Sequence, residues 1–229
     1  MEYLSLMLGS LATNCYLLKL GDGKCVIVDI GEGAPVLLRR LETEKLTPCA
    51  ILLTHGHFDH IAGVEQVREK FQIPVYLHAL DVPMLSDRNA NLAYWISDSP
   101  FQAVQAWQTV ADGQTLTIAQ KDFTLIHTPG HTPGSVCWKC EDLLLTGDTL
   151  FHMSRGRTDF PAEAMPRCWN LSESSRRWRG ITVYCRDTTR NPRSPLKKNT
   201  IQPCEVFNTC QLKKQKHQNH FPSSFPDTP

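Results

Sequence analysis

The chain has no apolar run that approaches the ~20 residues needed to cross a bilayer. Its first residues, MEYLSLMLGSLATNCYLL, carry no basic stretch ahead of their hydrophobics. Nothing in it is therefore a candidate membrane-spanning helix, and a secretory signal is not expected. An internal repeat is also missing. Nine cysteines are present, but their number is odd and their spacing irregular, which makes a poor disulfide framework and points to a reducing cytoplasm. Neither charge dominates, since 24 Lys and Arg stand against 23 Asp and Glu. With 41% hydrophobic residues, the composition suits a soluble globular protein and argues against a disordered or collagen-like one. A length of 229 residues allows one sizeable core, so one domain plus a tail is the expectation.

The charge that is present is unevenly placed. Residues 1–161 hold 12 Lys and Arg against 18 Asp and Glu, a balance of −6, whereas residues 162–229 hold 12 against 5, a balance of +7. So abrupt a change marks a boundary near Pro161. A basic segment of this kind ordinarily reads as a nucleic-acid-binding tail.

Before that boundary, apolar runs alternate with helical patterns. Cys15–Leu20 and Cys25–Asp29 are strand-like and flank Gly21-Asp22-Gly23, a hairpin signal. Ala34–Leu46 has helical spacing, Ala50–Leu53 reads as a buried strand ending at Thr54, and Ile61–Phe71 returns to a helical period. Val75–Leu77 is a further strand. Residues 86–108, with Trp95 and Trp107, are the least legible and suggest a helical lid. From Val110 the pattern is β-rich: Thr115–Ile118, Phe123–His127, Ser135–Lys139 and Leu143–Leu145. Two sheets covered by helices fit this order.

The densest chemistry lies in LLTHGHFDHIAG, residues 52–63. Three histidines and an aspartate fall between a buried strand and a helix, where ligands are held by rigid structure yet face solvent. Imidazole and carboxylate suit zinc, and also iron or manganese. Gly56 allows the tight backbone that aims His55 and His57 at one point, and Asp59 and His60 fall on the far side of the turn. A His-rich surface loop is the bland alternative, and a lone histidine would favour it. Four candidate ligands in six residues do not. Two later segments have matching contexts: TPGHTPGS, with His131 in a turn pinned by Pro and Gly, and LLLTGDTLF, with Asp148 just past a buried strand.

The ordered set THGHFDH, TPGHTPGS and TGDTLF resembles the metallo-β-lactamase superfamily, and GRTDFP at residues 156–161 is similar to its small glyoxalase-II-like branch. The resemblance covers residues 1–161, including LATNCYLL. It implies an α+β fold, the αββα sandwich, and a dinuclear, zinc-type centre. His55, His57 and His131 would hold the first ion, Asp59 and His60 the second, and Asp148 would bridge. The implied chemistry is hydrolysis of a small-molecule thioester or ester by a metal-bound hydroxide, with Asp59 and Asp148 orienting the nucleophile. The Asp59-His60 pair follows the thioesterase pattern rather than that of a β-lactamase. A lactonase and a mononuclear-iron persulfide dioxygenase are the alternatives within the fold.

Other residues invite attention for weaker reasons. His78 reads as packing and His127 as a neighbour of the His131 turn. Cys137 and Cys140 form a C-x-x-C, but positions i and i+3 of a strand face opposite ways, so they are expected not to be ligands. Asn14 and Tyr16 read as strand framework. His152, Arg155 and Arg157 flank the last metal-bearing loop without a fixed role.

Residues 162–229 depart from the family pattern. After GRTDFP such enzymes continue with two glycines, a helix, a strand and a Pro-Gly-His motif whose histidine completes the second metal position. The expectation is that this tail is out of frame and poorly structured, so that the sandwich lacks its last helix and strand. Restoring one G after Phe160, as in CCG GGC GGA AGC, turns the Pro-Ala-Glu-Ala of residues 161–164 into Pro-Gly-Gly-Ser. In that frame Asp187 and Thr188 must encode His or Tyr where the motif needs histidine, and Cys204 with Glu205 can encode a stop. A chain without that histidine would be an impaired hydrolase. The competing reading is a non-catalytic remnant whose tail binds nucleic acid.

Overall fold

The computed structural model describes residues 1–151 and 156–158, together with the backbone of Thr182–Tyr184. Apart from those three positions, the tail read as out of frame lies outside the described residues, as do His152 and Arg155.

The first sheet runs in the order β1-β2-β3-β4-β5-β6. Its strands are β1 (Tyr3–Leu8), β2 (Thr13–Gly21), β3 (Lys24–Val28), β4 (Thr47–Leu52), β5 (Val75–Leu77) and β6 (Gln108–Thr109). The first three pair antiparallel, and β3 to β6 pair parallel. The β2–β3 hairpin closes as the Gly-Asp-Gly signal predicts, with φ of +93°, +50° and +69° at Gly21, Asp22 and Gly23. Glycine and aspartate tolerate that left-handed run, and a bulky side chain would not. Parallel pairing requires crossovers: helix α1 (Ala34–Thr43) joins β3 to β4, helices α2 (Phe58–Ile61) and α3 (Val64–Phe71) join β4 to β5, and a longer connection with a 3-10 turn at Ala79–Leu85 joins β5 to β6.

The second sheet has the order β11-β10-β9-β8-β7, formed by β7 (Thr115–Ile118), β8 (Lys121–His127), β9 (Val136–Cys140), β10 (Leu143–Leu145) and β11 (Thr182–Tyr184). Strand β11 lies parallel to β10 at the sheet edge. The tail therefore contributes one edge strand, where the sequence reading expected none.

Burial explains why the central strands read as unbroken apolar runs. Along β2, β3 and β4, one set of side chains (Cys15, Leu17, Cys25, Ile27, Ile51) packs towards α1 and α3 through Leu37, Leu41, Val64 and Val67. The alternate set (Tyr16, Leu18, Val26, Val28, Ala50, Leu52) packs against Phe123, Leu125, Val136, Trp138, Leu143 and Leu145 of the second sheet. A sheet covered on both faces has no polar stripe to show. Two sheets packed face to face, with helices on the outer face of the first, are thus present among the described residues, with mixed parallel and antiparallel pairing.

Two helical expectations are corrected. The pattern over Ile61–Phe71 is split, because the backbone of Ile30 bonds to both His60 O and Gly63 N at 2.8 and 3.0 Å. A Cβ on Gly63 would stand 2.7 Å from Gly31 O, so the chain must stay narrow there. Residues 86–108 form no helical lid. They hold only the single turn α4 (Ala93–Ile96) and irregular chain, with Trp95 and Trp107 exposed.

All the ligand candidates end up on one rim of the sandwich. They follow β4, β8 and β10, and two bonds tie the rim across the sheets. Val136 N donates to Thr54 O at 2.8 Å, and the buried Trp138 indole donates to Leu53 O at 2.9 Å.

Candidate metal centre

His55, His57 and His60 leave the end of β4 in one tight turn. Gly56 within it has no room for a side chain, since a Cβ would meet Met84 Cβ at 2.5 Å. His131 reaches the same place from the loop after β8, and Asp148 from a 3-10 turn after β10. The structure gathers these residues into two overlapping groups, His55–His57–His131 and His55–His60–Asp148, with donor atoms within 4.8 Å of one another. Asp59 borders the second group, its Oδ2 lying 3.6 Å from His60 Nε2. All six predicted site residues therefore meet on one rim. The two oxygens of Asp148 divide between the groups: Oδ1 is 3.4 Å from His60 Nε2 and Oδ2 is 3.5 Å from His131 Nε2.

The electrostatics suit cation binding. Burial, followed by the neighbouring imidazoles, pushes His55 well below the usual histidine range, and the same causes bring His57 down to about 3. Both rings are therefore neutral at pH 7 and keep a lone pair to donate. His60 is the opposite case. Burial lowers it, but the Asp59, Asp29 and Asp148 carboxylates outweigh that and hold it well above its ordinary value. An ion bound there has to displace that proton. Nε2 of His55 and Nε2 of His60 are buried without a hydrogen-bond partner, at a cost of about 1–3 kcal/mol for each such atom. The neutral His55 ring, and the His60 ring once it gives up its proton, form with the neighbouring carboxylates a donor set that a divalent cation satisfies.

Several residues that sequence reasoning passed over set this geometry. Asp29, at the end of β3, accepts from Thr54 N at 2.8 Å, Thr54 Oγ1 at 2.6 Å and His60 Nδ1 at 2.8 Å. Asp81 bonds to the backbone of Gly56 and Gly134 and to the Thr132 hydroxyl. Thr13 donates to Asp59 Oδ2 at 2.6 Å, and His131 Nδ1 donates to Arg157 O at 2.9 Å. The last contact gives Arg157 a backbone role that its side chain could not suggest. The only sequence signal for Asp29 was its place at the end of an apolar strand, and Asp81 gave none.

The weaker candidates stand outside the two donor groups among the described residues. His78 stacks on His127 with centroids 4.0 Å apart, and His127 Nε2 donates to Pro133 O at 2.9 Å. Neither ring belongs to a ligand group. Cys137 and Cys140 are buried in β9 with their thiols pushed up to about 12, chiefly by burial, and neither belongs to a donor group among the described residues. Asn14 and Tyr16 line a small cavity with Thr13, Asp29, His60 and Asp148.

The sequence and fold can now be set beside known proteins. A probable metallo-hydrolase of Bacillus subtilis is 37% identical over 161 residues, spanning 69% of this chain and 76% of that protein. The hydroxyacylglutathione hydrolase of Klebsiella pneumoniae is 40% identical over 143 residues, but these make up only 49% of that protein. Among solved structures, TTHA1623 in a di-iron-bound form aligns with a TM-score of 0.66 at 34% identity, covering 80% of this chain and 90% of that one. The B3 metallo-beta-lactamase BLEG-1 aligns with a TM-score of 0.66 at 42% identity, covering 69% and 77%. The sequence profile of the metallo-beta-lactamase superfamily matches residues 8–191. With its sandwich, its rim of histidines and these matches, the chain belongs to the metallo-beta-lactamase superfamily.

Proposed function

We propose that the chain is a metal-dependent hydrolase of small-molecule thioesters or esters, like glyoxalase II in its chemistry, acting in the cytoplasm. The division of Asp148 between the two histidine groups carries this reading, because a carboxylate shared by two donor sets is what a paired centre requires. His55, His57 and His131 would hold one ion, and Asp59, His60 and Asp148 another. When bound, such ions lower the pKa of water and polarise a carbonyl. Asp59 and Asp148 would orient the attacking water, whose oxygen would bond to the acyl carbon as the scissile C–S or C–O bond breaks, and its proton would pass to the leaving thiolate or alkoxide, so that acid and thiol or alcohol are released. Zinc is the ion proposed, and the likeness to a protein crystallised with two irons makes iron the rival outcome.

The test is turnover by the expressed protein, with metal analysis alongside, on S-lactoylglutathione, simple thioesters, lactones, a persulfide and nitrocefin. The nitrocefin arm is needed because a named β-lactamase is as similar to this chain as a hydroxyacylglutathione hydrolase is. Thioester turnover that chelation abolishes supports the proposal. Turnover of a different substrate class alone, or none by metal-loaded protein, overturns it.

We also infer that residues 162–229 are read out of frame and that the second ion is held more weakly for want of one ligand. The absence, after GRTDFP, of the two glycines and of a Pro-Gly-His motif supports this, while the superfamily profile itself runs on to residue 191. Steeply salt-dependent binding of DNA or RNA would favour a functional basic tail instead.

A further inference from the structure

The His55–His57 turn and the His131 turn come from different sheets, yet His57 Nδ1 and His131 Nε2 stand 2.9 Å apart across 74 residues of sequence. The spacing of the two turns is set from outside both of them. Asp81 lies in a third segment, the 3-10 turn Ala79–Leu85, and its side chain is fully buried. Its Oδ2 accepts from Gly56 N at 3.0 Å, between the two histidines of the first turn, and from Thr132 Oγ1 at 2.7 Å, directly after His131. Its Oδ1 accepts from Gly134 N at 2.6 Å. One carboxylate thus receives three donors from two ligand-bearing loops, and among the described residues it forms no ion pair.

The glycines of both loops fit this arrangement. A Cβ on Gly134 would stand 2.5 Å from Asp81 Oδ1, and one on Gly56 would stand 3.2 Å from Asp81 O. Both turns close onto Asp81 with no space for a side chain.

We propose that Asp81 is a positioning residue that fixes the distance between the two histidine turns and thereby sets how tightly the three-histidine position holds a divalent cation. The inference rests on the reading that His55, His57 and His131 hold an ion. With the bracket in place the donors are assembled beforehand. Without it, the ion must order two loops itself, and its affinity falls by the cost of doing so.

The experiment titrates the chelator-stripped full chain with zinc against a chromophoric chelator, and with cobalt followed by its visible absorption. Asp81→Asn replaces an acceptor oxygen by a donor. Thr132→Val removes one donor and keeps the carboxylate, so it carries the test should the first variant fold poorly. Leu46→Ala removes a core side chain at the far end of β4 from His55 and lowers stability without touching either loop. Asp81→Asn is expected to weaken the tighter site by about 10–100-fold, the range for partners that orient ligands. Thr132→Val should weaken it less, and Leu46→Ala should lower Tm while leaving affinity unchanged. Unchanged affinity in both loop variants overturns the proposal, as does a loss that follows Tm equally in all three. An unaltered chain that takes up neither metal overturns the underlying metal reading instead, which is a separate result.

Discussion

Asp29 and His60 are joined by a 2.8 Å hydrogen bond through Nδ1 of the imidazole. That bond leaves Nε2 of the same ring facing Asp148 and Asp59 at 3.4 and 3.6 Å. A carboxylate that fixes one ring nitrogen chooses which nitrogen is offered to a ligand. Asp29 is itself held by both donors of Thr54, so the orientation of His60 depends on the end of β3 as well as on its own loop.

Asp29→Asn should therefore lower affinity at the His60–Asp148 position by about 10–100-fold, with little change at the three-histidine position. Loss of charge-assisted hydrogen bonds should also cost about 1–3 kcal/mol of stability. Metal titration with chemical denaturation checks both figures, and equal losses at the two positions would count against the assignment.

The ion-free protein should lose stability as pH falls from about 6.5 towards 3. His57 is neutral in the folded chain down to about 3, whereas the unfolded chain takes up that proton near 6.5. Protons then bind preferentially to the unfolded state, and His57 alone gives a slope of about 1.4 kcal/mol per pH unit in this window. His55 acts in the same direction. The raised His60 has the opposite sign and another window: its contribution is complete below about 6.5 and is lost as pH rises through its folded value. Denaturation of chelator-treated protein at successive pH values measures the slope, which His57→Gln should reduce. A slope that this substitution leaves unchanged would refute the assignment.

Strands and ligands were legible in this sequence to different degrees for physical reasons. Apolar runs such as Cys25–Val28 and Leu143–Leu145 announced buried strands because every side chain in them is buried. The ligand turn was legible because four donors are crowded into six positions beside a single glycine. The split of Ile61–Phe71 was not, since its cause is Ile30, a residue remote in sequence that bonds into the break. Asp81 was hidden for the same reason: its partners lie 25, 51 and 53 residues away, and no local pattern encodes them. The 86–108 segment misled because its Trp and Leu residues suggest packing, whereas Tyr94 and Trp95 are largely exposed.

Gly147→Ala tests the approach to Asp148. Gly147 has φ of +48°, and a Cβ there would fall 2.2 Å from Thr54 Oγ1. The left-handed backbone alone costs an alanine about 1–2 kcal/mol, and the clash falls on a hydroxyl that Asp29 needs. The variant should melt lower and hold less metal at the His60–Asp148 position. Wild-type values for both quantities would show that the turn has room that the structure does not display.

The tail offers the last prediction. With His55 assigned to the first ion, the second position is left with Asp59, His60 and Asp148 among the described residues, one donor short of a set that holds an ion firmly in this kind of site. If residues 162–229 are out of frame, restoring one base in the codons after Phe160 gives a Pro-Gly-His run where the Asp187 and Thr188 codons read as His rather than Tyr. The edge of the second sheet is already prepared for such an addition, since β10 accepts a parallel neighbour at Thr182–Tyr184. The restored protein should then carry close to two ions per chain where the present one carries close to one, and it should melt higher and turn over thioesters faster. Metal analysis and calorimetry of the two proteins, prepared side by side, decide the matter. Equal metal content and equal melting would mean that the tail, read as it stands, is no defect.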